Sequence, residues 1–463
     1  MVEICGATSG IGLRPSLYTM NTRYRVHAVS RREFIQESAA VTAGAFAFLA
    51  ANHTLAESKS GGSVAPLRIA SIGPGSQGQF DLRKAIAIPG IQCVAVCDIF
   101  EPNLNRAKQI THLGDRDAVS DYQRVLDRSD VDAVLVTVPL PLHAEIAIAA
   151  LEAGKHVFCE KLMAYSLPEA RRMAAAAKRS GKVLQIGHQR ASSVGYNHAW
   201  DLLANKKICG RVTHVRAQWN RNGSWRRTLP KGRILGDTGF WHDEEHLVNW
   251  RLYRRTSQGL MAELASHQVQ VVNWFLNAVP TAVVGMAGLD YWKDGRDIWD
   301  NVQCIFEYPG GVKLTYQSIC TNQFDGFSEE FMGDQGTLIT TLGPGNHAMG
   351  LLYREPRAET LDWAKYAQTE KDSHGHLGVV LDASATKKLD TGVHIGKEQL
   401  PVSPTGKDAY DLELYNWAAS IREGKPVVCG PQVGFNTAVA ILTANEAMQK
   451  GTRIAIPADA YQI

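Results

Sequence analysis

An apolar run at residues 67–72 breaks at Gly73-Pro74-Gly75-Ser76-Gln77-Gly78, and Asp98 ends the next apolar run, twenty residues beyond Gly78. Three glycines at that spacing, between a strand and a helix, restrict this region to a βαβ unit. Gly73 permits a tight turn, Gly75 lets a phosphate approach the backbone, and Gly78 allows the helix to pack closely on the strand. The first turn of that helix, which carries Ser76 and Gln77, offers free N–H groups and the positive end of the helix dipole. Asp98 can accept hydrogen bonds from ribose hydroxyls and would repel a 2′-phosphate, so the pattern predicts a dinucleotide cofactor, NAD rather than NADP.

The same alternation continues for about 120 residues. Strands are expected at 92–97, 133–138, 156–159 and 183–186, with a helix at 143–153 that Gly154 can close. Ser166-Leu167-Pro168-Glu169 reads as a capping box opening a helix that ends at Gly181. The fold class is therefore α/β, with a Rossmann doubly wound parallel sheet over 66–187. Beyond His188, strand patterns at 212–219, 302–308 and 312–318, the last two flanking Pro309-Gly310-Gly311, predict an α/β domain over 188–463 with a mostly antiparallel open sheet. Helices resume at 409–422 and 435–450, while residues 343–406 read as loops.

With 463 residues, 45% of them hydrophobic, the chain can bury more than one core, and its formal charge of +3 is too scattered to favour nucleic acid. Eight cysteines without a CxxC pair argue against a disulfide framework or a zinc site. His242-Asp243-Glu244-Glu245-His246 has histidines four apart, but no other ligand cluster accompanies it. It reads as a solvated loop or helix start, and no metal is expected.

Residues 1–65 read as a pre-sequence. Ser30-Arg31-Arg32-Glu33-Phe34-Ile35 resembles the twin-arginine export motif, and the alanine-rich run at 39–51 is too short for a stable membrane span. The expectation is a periplasmic or otherwise exported protein, cut near Ala56. The resemblance also implies export in the folded state, with a dinucleotide already loaded. The cluster from Gly6 to Gly12 looks like a short-chain dehydrogenase fingerprint, but it has no room for a preceding strand and Pro15 follows.

Lys161 follows the strand expected at 156–159, at the carboxyl edge of the sheet where open α/β sheets bind ligands. A cation there can stabilise an alkoxide. Glu263 and His267 are four apart and share one face of a helix, and an imidazole suits a general base near neutrality. Gly187-His188-Gln189-Arg190 follows the last strand of the first domain, where His188 and Arg190 can face a substrate. Trp225 is an aromatic suited to stacking on a sugar face.

Thr137-Val138-Pro139-Leu140-Pro141-Leu142-His143 and Ala153-Gly154-Lys155-His156-Val157-Phe158-Cys159-Glu160-Lys161 resemble the T-x-P-x-x-x-H and A-G-K-H-V-x-x-E-K-P motifs of the glucose-fructose oxidoreductase, inositol dehydrogenase and rhizopine catabolism (Gfo/Idh/MocA) family. Leu162 and Leu140 depart from the usual proline and asparagine. The resemblance covers nearly all of the chain beyond the pre-sequence and implies NAD-dependent hydride transfer on a sugar or glycoside. Thr137, Pro139, His143, Glu160 and Lys161 would lie at the cofactor, and Lys161, His267 and Glu263 would be catalytic. It also implies a homo-oligomer, a dimer or tetramer. Two rivals are a redox-neutral NAD-dependent glycosidase and a non-catalytic dinucleotide-binding regulator. The exported glycosidase branch carries a G-H-G-x-G-P-type segment that Ser266-His267-Gln268 does not match, and the regulator would be expected to lose the pair Lys161 and His267, which is retained.

Overall fold

The computed structural model describes residues 65–463, except 236–240, 242, 343–347, 356, 359–368, 372–376 and 382–405. The expected export signal and the first glycine cluster lie outside the described residues.

The first layer alternates as the sequence predicts: β1 (Leu67–Ile72), α1 (Ser76–Ile86), β2 (Ile91–Cys97), α2 (Glu101–Thr111), β3 (Ala118–Val119), β4 (Ala133–Val136), α3 (His143–Glu152), β5 (His156–Glu160), α4 (Leu167–Ser180) and β6 (Leu184–Gly187). The six strands form one sheet in the order β3-β2-β1-β4-β5-β6, and every pairing is parallel. Helices cover both faces, so β4 and β6 are buried at every residue. The Ser166–Glu169 capping box forms and opens α4, and Gly181 ends it at φ 64°.

The chain then runs through α5 (Val194–Trp200), β7 (Val212–Asn220), α6 (Glu244–Val248) and a π-helical turn at Met261–Ala265 that leads into α7 (Ser266–Phe275). Next come β8 (Ala282–Gly288), β9 (Asn301–Glu307), β10 (Lys313–Ile319), β11 (Phe327–Gly333) and β12 (Gly336–Leu342). β13 (Ala348–Arg354), β14 (Thr369–Lys371) and β15 (Leu377–Leu381) extend the same sheet where loops were expected. They add to one edge as hairpin arms, and their pairing, rather than any clear sequence period, defines them. After α8 (Ala409–Glu423), α9 (Pro431–Lys450) and β16 (Ile454–Ala455), the second sheet has ten strands, antiparallel except where β10 pairs with β7. β9 and β10 alternate buried and open residues, as strands with one covered face do.

The last two helices return to the first domain. Trp417 of α8 meets Phe158 of β5 edge-on at 6.0 Å. Gly434 lets α9 approach β6 so closely that a Cβ there would lie 2.6 Å from Ile186 Cγ1. All seven cysteines among the described residues are buried free thiols. No helix among the described residues is long and apolar enough to cross a membrane.

Candidate active site

The glycine turn is built as its spacing demands. Gly73 takes φ 79°, and a Cβ there would meet Val138 Cγ1 at 2.5 Å. A Cβ on Gly78 would collide with Thr137 Oγ1 at 2.3 Å, because α1 lies directly against the end of β4. Thr137 in turn donates to the Gly73 carbonyl at 2.9 Å and holds the turn shut. Gly75 opens onto space, the nearest atom to an added Cβ being Asn103 Nδ2 at 3.9 Å. No side chain caps the start of α1, so its N–H groups face that opening. A diphosphate fits this cradle. Gln77 donates its amide to Asp81 at 2.9 Å, which leaves its backbone N–H for a ligand.

Asp98 stands at the end of β2, where its Oδ1 accepts from Phe100 N at 2.8 Å. Burial raises its pKa to about 7, against the backbone bond from Phe100 and one from the Asn103 side chain. A strap from the second domain crosses just beyond it. Leu235 N donates to Ile99 O, Glu101 N donates to Arg233 O, and Phe100 pairs with Ile234.

Lys161 follows β5, and its Nζ donates to the Glu263 carbonyl at 3.2 Å, with the Glu263 carboxylate 3.7 Å away. That carboxylate also accepts from Arg251 Nε at 2.7 Å. Burial opposes its ionisation, but the charges of Lys161 and Arg251 and the Arg251 bond outweigh burial and hold its pKa below the usual glutamate range. Glu160, beside Lys161, is pushed up to about 7 by burial, which the Lys161 charge offsets only in part.

His267 lies in the first turn of α7, its ring 5.6 Å from that of Trp219 and 6.1 Å from that of His188. Burial first, then the charges of Lys161 and Arg190 and the His188 ring, lower its pKa well below the ordinary histidine value. The ring is therefore neutral and can accept a proton. Its Nδ1 and both nitrogens of His188 are buried without a hydrogen-bond partner among the described residues. A hydroxylated ligand would satisfy such atoms. Burial, with the charges of Lys161 and Arg190, holds His188 down to about 3.

The structure brings Lys161, Glu263, His267 and His188 together but alters some expected roles. The π-helical turn ends just before His267, so Glu263 faces the two cations and makes no hydrogen bond to that ring. His143, expected at the cofactor, sits between the carbonyls of Leu162 and Val138, 2.7 Å from Nδ1 and 2.9 Å from Nε2. The neutral ring donates to one of these carbonyls and so braces the Lys161 loop; burial lowers its pKa to about 4. Arg190, expected to grip substrate, is 3% exposed and bonded at 2.5 Å to Glu329, which also accepts from Tyr196 and Thr340. It is tied to β11 through Glu329, while its buried Nε has no hydrogen-bond partner among the described residues. Trp225, at φ 65°, carries Arg221 over its ring at 4.4 Å. Pro139 leads into the turn that holds Leu140 and His143. Asp243 caps α6 by accepting from His246 N, the helix start expected there, while His242 lies outside the described residues.

Sequence reasoning missed Arg251, Arg221 and Arg227, though Trp219, like Trp225, lies in a region the sequence marks as suited to a substrate face. A hint was available in Trp219-Asn220-Arg221-Asn222-Gly223-Ser224-Trp225-Arg226-Arg227, where arginines and tryptophans crowd the end of a strand.

Residues 67–188 match the family described as "Oxidoreductase family, NAD-binding Rossmann fold" and residues 233–456 its "C-terminal alpha/beta domain". A 1,5-anhydro-D-fructose reductase from Ensifer adhaerens is 29% identical over 241 residues, 50% of this chain and 64% of the relative. An inositol 2-dehydrogenase from Salmonella paratyphi B is 35% identical over 144 residues, 31% of this chain and 43% of the relative. A glycosyl hydrolase family 109 protein from Shewanella is 25% identical over 246 residues, 48% of this chain and 52% of the relative. The chain thus spans between about two fifths and two thirds of these relatives' lengths. Among solved structures, a levoglucosan dehydrogenase complex with NADH and levoglucosan shares the fold at TM-score 0.64 and 18% identity, covering 85% of this chain and 100% of that one. An aldose-aldose oxidoreductase from Caulobacter crescentus does so at TM-score 0.62 and 18% identity, covering 84% and 100%.

Proposed function

The chain belongs to the Gfo/Idh/MocA oxidoreductase family, with an NAD-binding Rossmann domain, and from that premise we propose that it oxidises a secondary alcohol of a sugar or glycoside or reduces the corresponding ketone. The observation that carries this reading is the meeting of Lys161, on the cofactor-domain side, with Glu263, one helical turn before His267. NAD, when bound, supplies the hydride acceptor. His267, neutral and unpartnered at Nδ1, takes the hydroxyl proton. Lys161 steadies the negative charge that grows on the carbinol oxygen, in a pocket poor in water. Glu263 keeps the ammonium aimed by accepting from Arg251 while leaving Lys161 a second, longer contact. His188 holds a neighbouring hydroxyl. The strap across Ile99 and Phe100 favours a coenzyme that stays bound between turnovers.

Export by the twin-arginine route is part of the same reading and rests on Ser30-Arg31-Arg32-Glu33-Phe34-Ile35. The apolar residues Val284, Met286 and Ile305 lie exposed on β8 and β9 and support pairing into an oligomer. The functional test is direct: isolate the protein, release and identify any retained nucleotide, then offer free sugars and chromogenic glycosides. Net NADH formation with a sugar is the expected result. Aglycone release without net redox change would replace this reading with the hydrolase chemistry named in the family 109 relative. Inertness with cofactor bound would indicate a regulator.

A further inference from the structure

The site holds more positive charge than its own carboxylates can answer. Glu263 pairs with Lys161 and Arg251, and Glu160, which also feels both cations, is pushed up to about 7 by burial, while Arg221 and Arg227 have no carboxylate partner among the described residues. Nearby acids are already committed: Glu245 and Asp294 pair with Arg226, and Asp294 also with Arg296. Arg221 continues directly from β7, two residues after Trp219, whose ring lies beside His267. Its backbone N–H donates to Ile319 O at 2.8 Å, and its guanidinium carbon lies over the Trp225 ring, which itself packs on the core. This is a held guanidinium rather than a waving surface one. Burial, and then the repulsion of Arg251, lower its pKa despite attraction from Cys320 and Glu263. Arg227 is near enough to Arg251 and Arg221 to be repelled by both, and its Nη1 is 3.4 Å from Ser76 Oγ at the glycine turn.

The two unanswered guanidiniums therefore serve different anions. Arg227 is placed for the coenzyme diphosphate, because Ser76 opens the helix that receives it. No hydrogen bond among the described residues ties Arg221 to that turn; its guanidinium sits over Trp225 and feels the charges of Arg251 and Glu263. We propose that the sugar substrate carries a carboxylate, as a uronic or aldonic acid or its glycoside does, and that Arg221, with Trp225 beneath it, binds that group. This assignment rests on the sugar-oxidoreductase reading above. A planar guanidinium matches a carboxylate in two parallel hydrogen bonds, a geometry that a lysine cannot reproduce.

The test titrates the full-length, NADH-loaded protein by calorimetry with matched pairs: D-glucuronate and D-glucose, D-galacturonate and D-galactose, D-mannuronate and D-mannose. NAD reduction is followed in parallel with the same six sugars. For at least one pair, the acid should bind at least 30-fold more tightly than the neutral sugar. Arg221→Gln should collapse that ratio, and Arg221→Lys should keep part of it, while the wild-type melting profile and NADH affinity show that each variant is folded. Neutral sugars that bind and reduce NAD as well as the acids do would overturn the carboxylate assignment and leave the oxidoreductase reading standing. Weaker NADH binding in Arg221→Gln, with the acid-to-neutral ratio unchanged, would give this guanidinium to the coenzyme diphosphate and overturn it as well. If no sugar binds or reduces NAD, both readings fall.

Discussion

The two walls of the cleft are made in different ways. The cofactor wall comes from the ends of neighbouring parallel strands, where Gly73, Asp98, Thr137 and Lys161 each follow a strand of one sheet. The opposite wall is gathered from separate pieces: Arg221 after β7, Arg251 after α6, Glu263 in a π-helical turn and His267 in α7. A parallel sheet brings its strand ends together by construction, so chemistry placed there needs only local sequence. The second wall depends on long-range packing, and its residues answer one another's charges more than the fold's regularity.

The sharpest way to break the comparison is to remove the ammonium of the first wall. Lys161→Met should lower kcat by about 1,000-fold, with NADH affinity within about threefold of wild type, as single-turnover kinetics and fluorescence titration would report. A comparable loss of NADH binding would make Lys161 a cofactor anchor instead. On the second wall, His267→Asn should cost about 100-fold in kcat, within the range for a general base. Because its pKa is lowered, the wild-type ring stays unprotonated as pH falls past 6.5, so the acid limb of kcat/KM should lie well below that value. An acid limb centred on 6.5 would point to a different base.

His188 lies where the walls meet, and its buried ring binds protons far less readily in the folded protein, near 3, than in the unfolded chain, near 6.5. The unfolded state therefore gains the proton first, and stability is lost as pH falls from about 6.5 toward about 3. At pH 5 this amounts to about 2 kcal/mol. Denaturant titrations at pH 8 and pH 5 should show His188→Asn losing that much less between the two conditions than wild type. The smallest effect is expected at Asp98. Asp98→Asn should shift the NAD-to-NADP preference toward NADP by about tenfold, and an unchanged ratio would move ribose recognition elsewhere.

Much of the first domain was legible because its local signals agree with one another. The glycine spacing, Asp98, the capping box at Ser166 and the buried apolar strands each imply the same βαβ repeat, and the observed bounds differ from expectation by only a few residues. The second domain yielded β7, β9 and β10, whose alternation is clear, but not β13 to β15, which are edge additions defined by their partners. Within the site, Lys161 and His267 could be read from motifs. The π-helical turn could not, because Met261-Ala262-Glu263-Leu264-Ala265 has an ordinary helical composition. That turn decides whether Glu263 addresses His267 or the cations. The ion pair of Arg190 could not be read either, because its partner, Glu329, is 139 residues away and only folding brings them together.

The central claim is that an ammonium and an imidazole from opposite walls act on one carbinol oxygen. A double-mutant cycle on single-turnover NAD reduction tests it, using Lys161→Met, His267→Asn and the combined variant with whichever sugar the wild type oxidises. Shared action at one oxygen predicts that the double variant is little slower than the slower single one. Losses that simply multiply would show the two groups acting independently, and the account of a common site would be wrong.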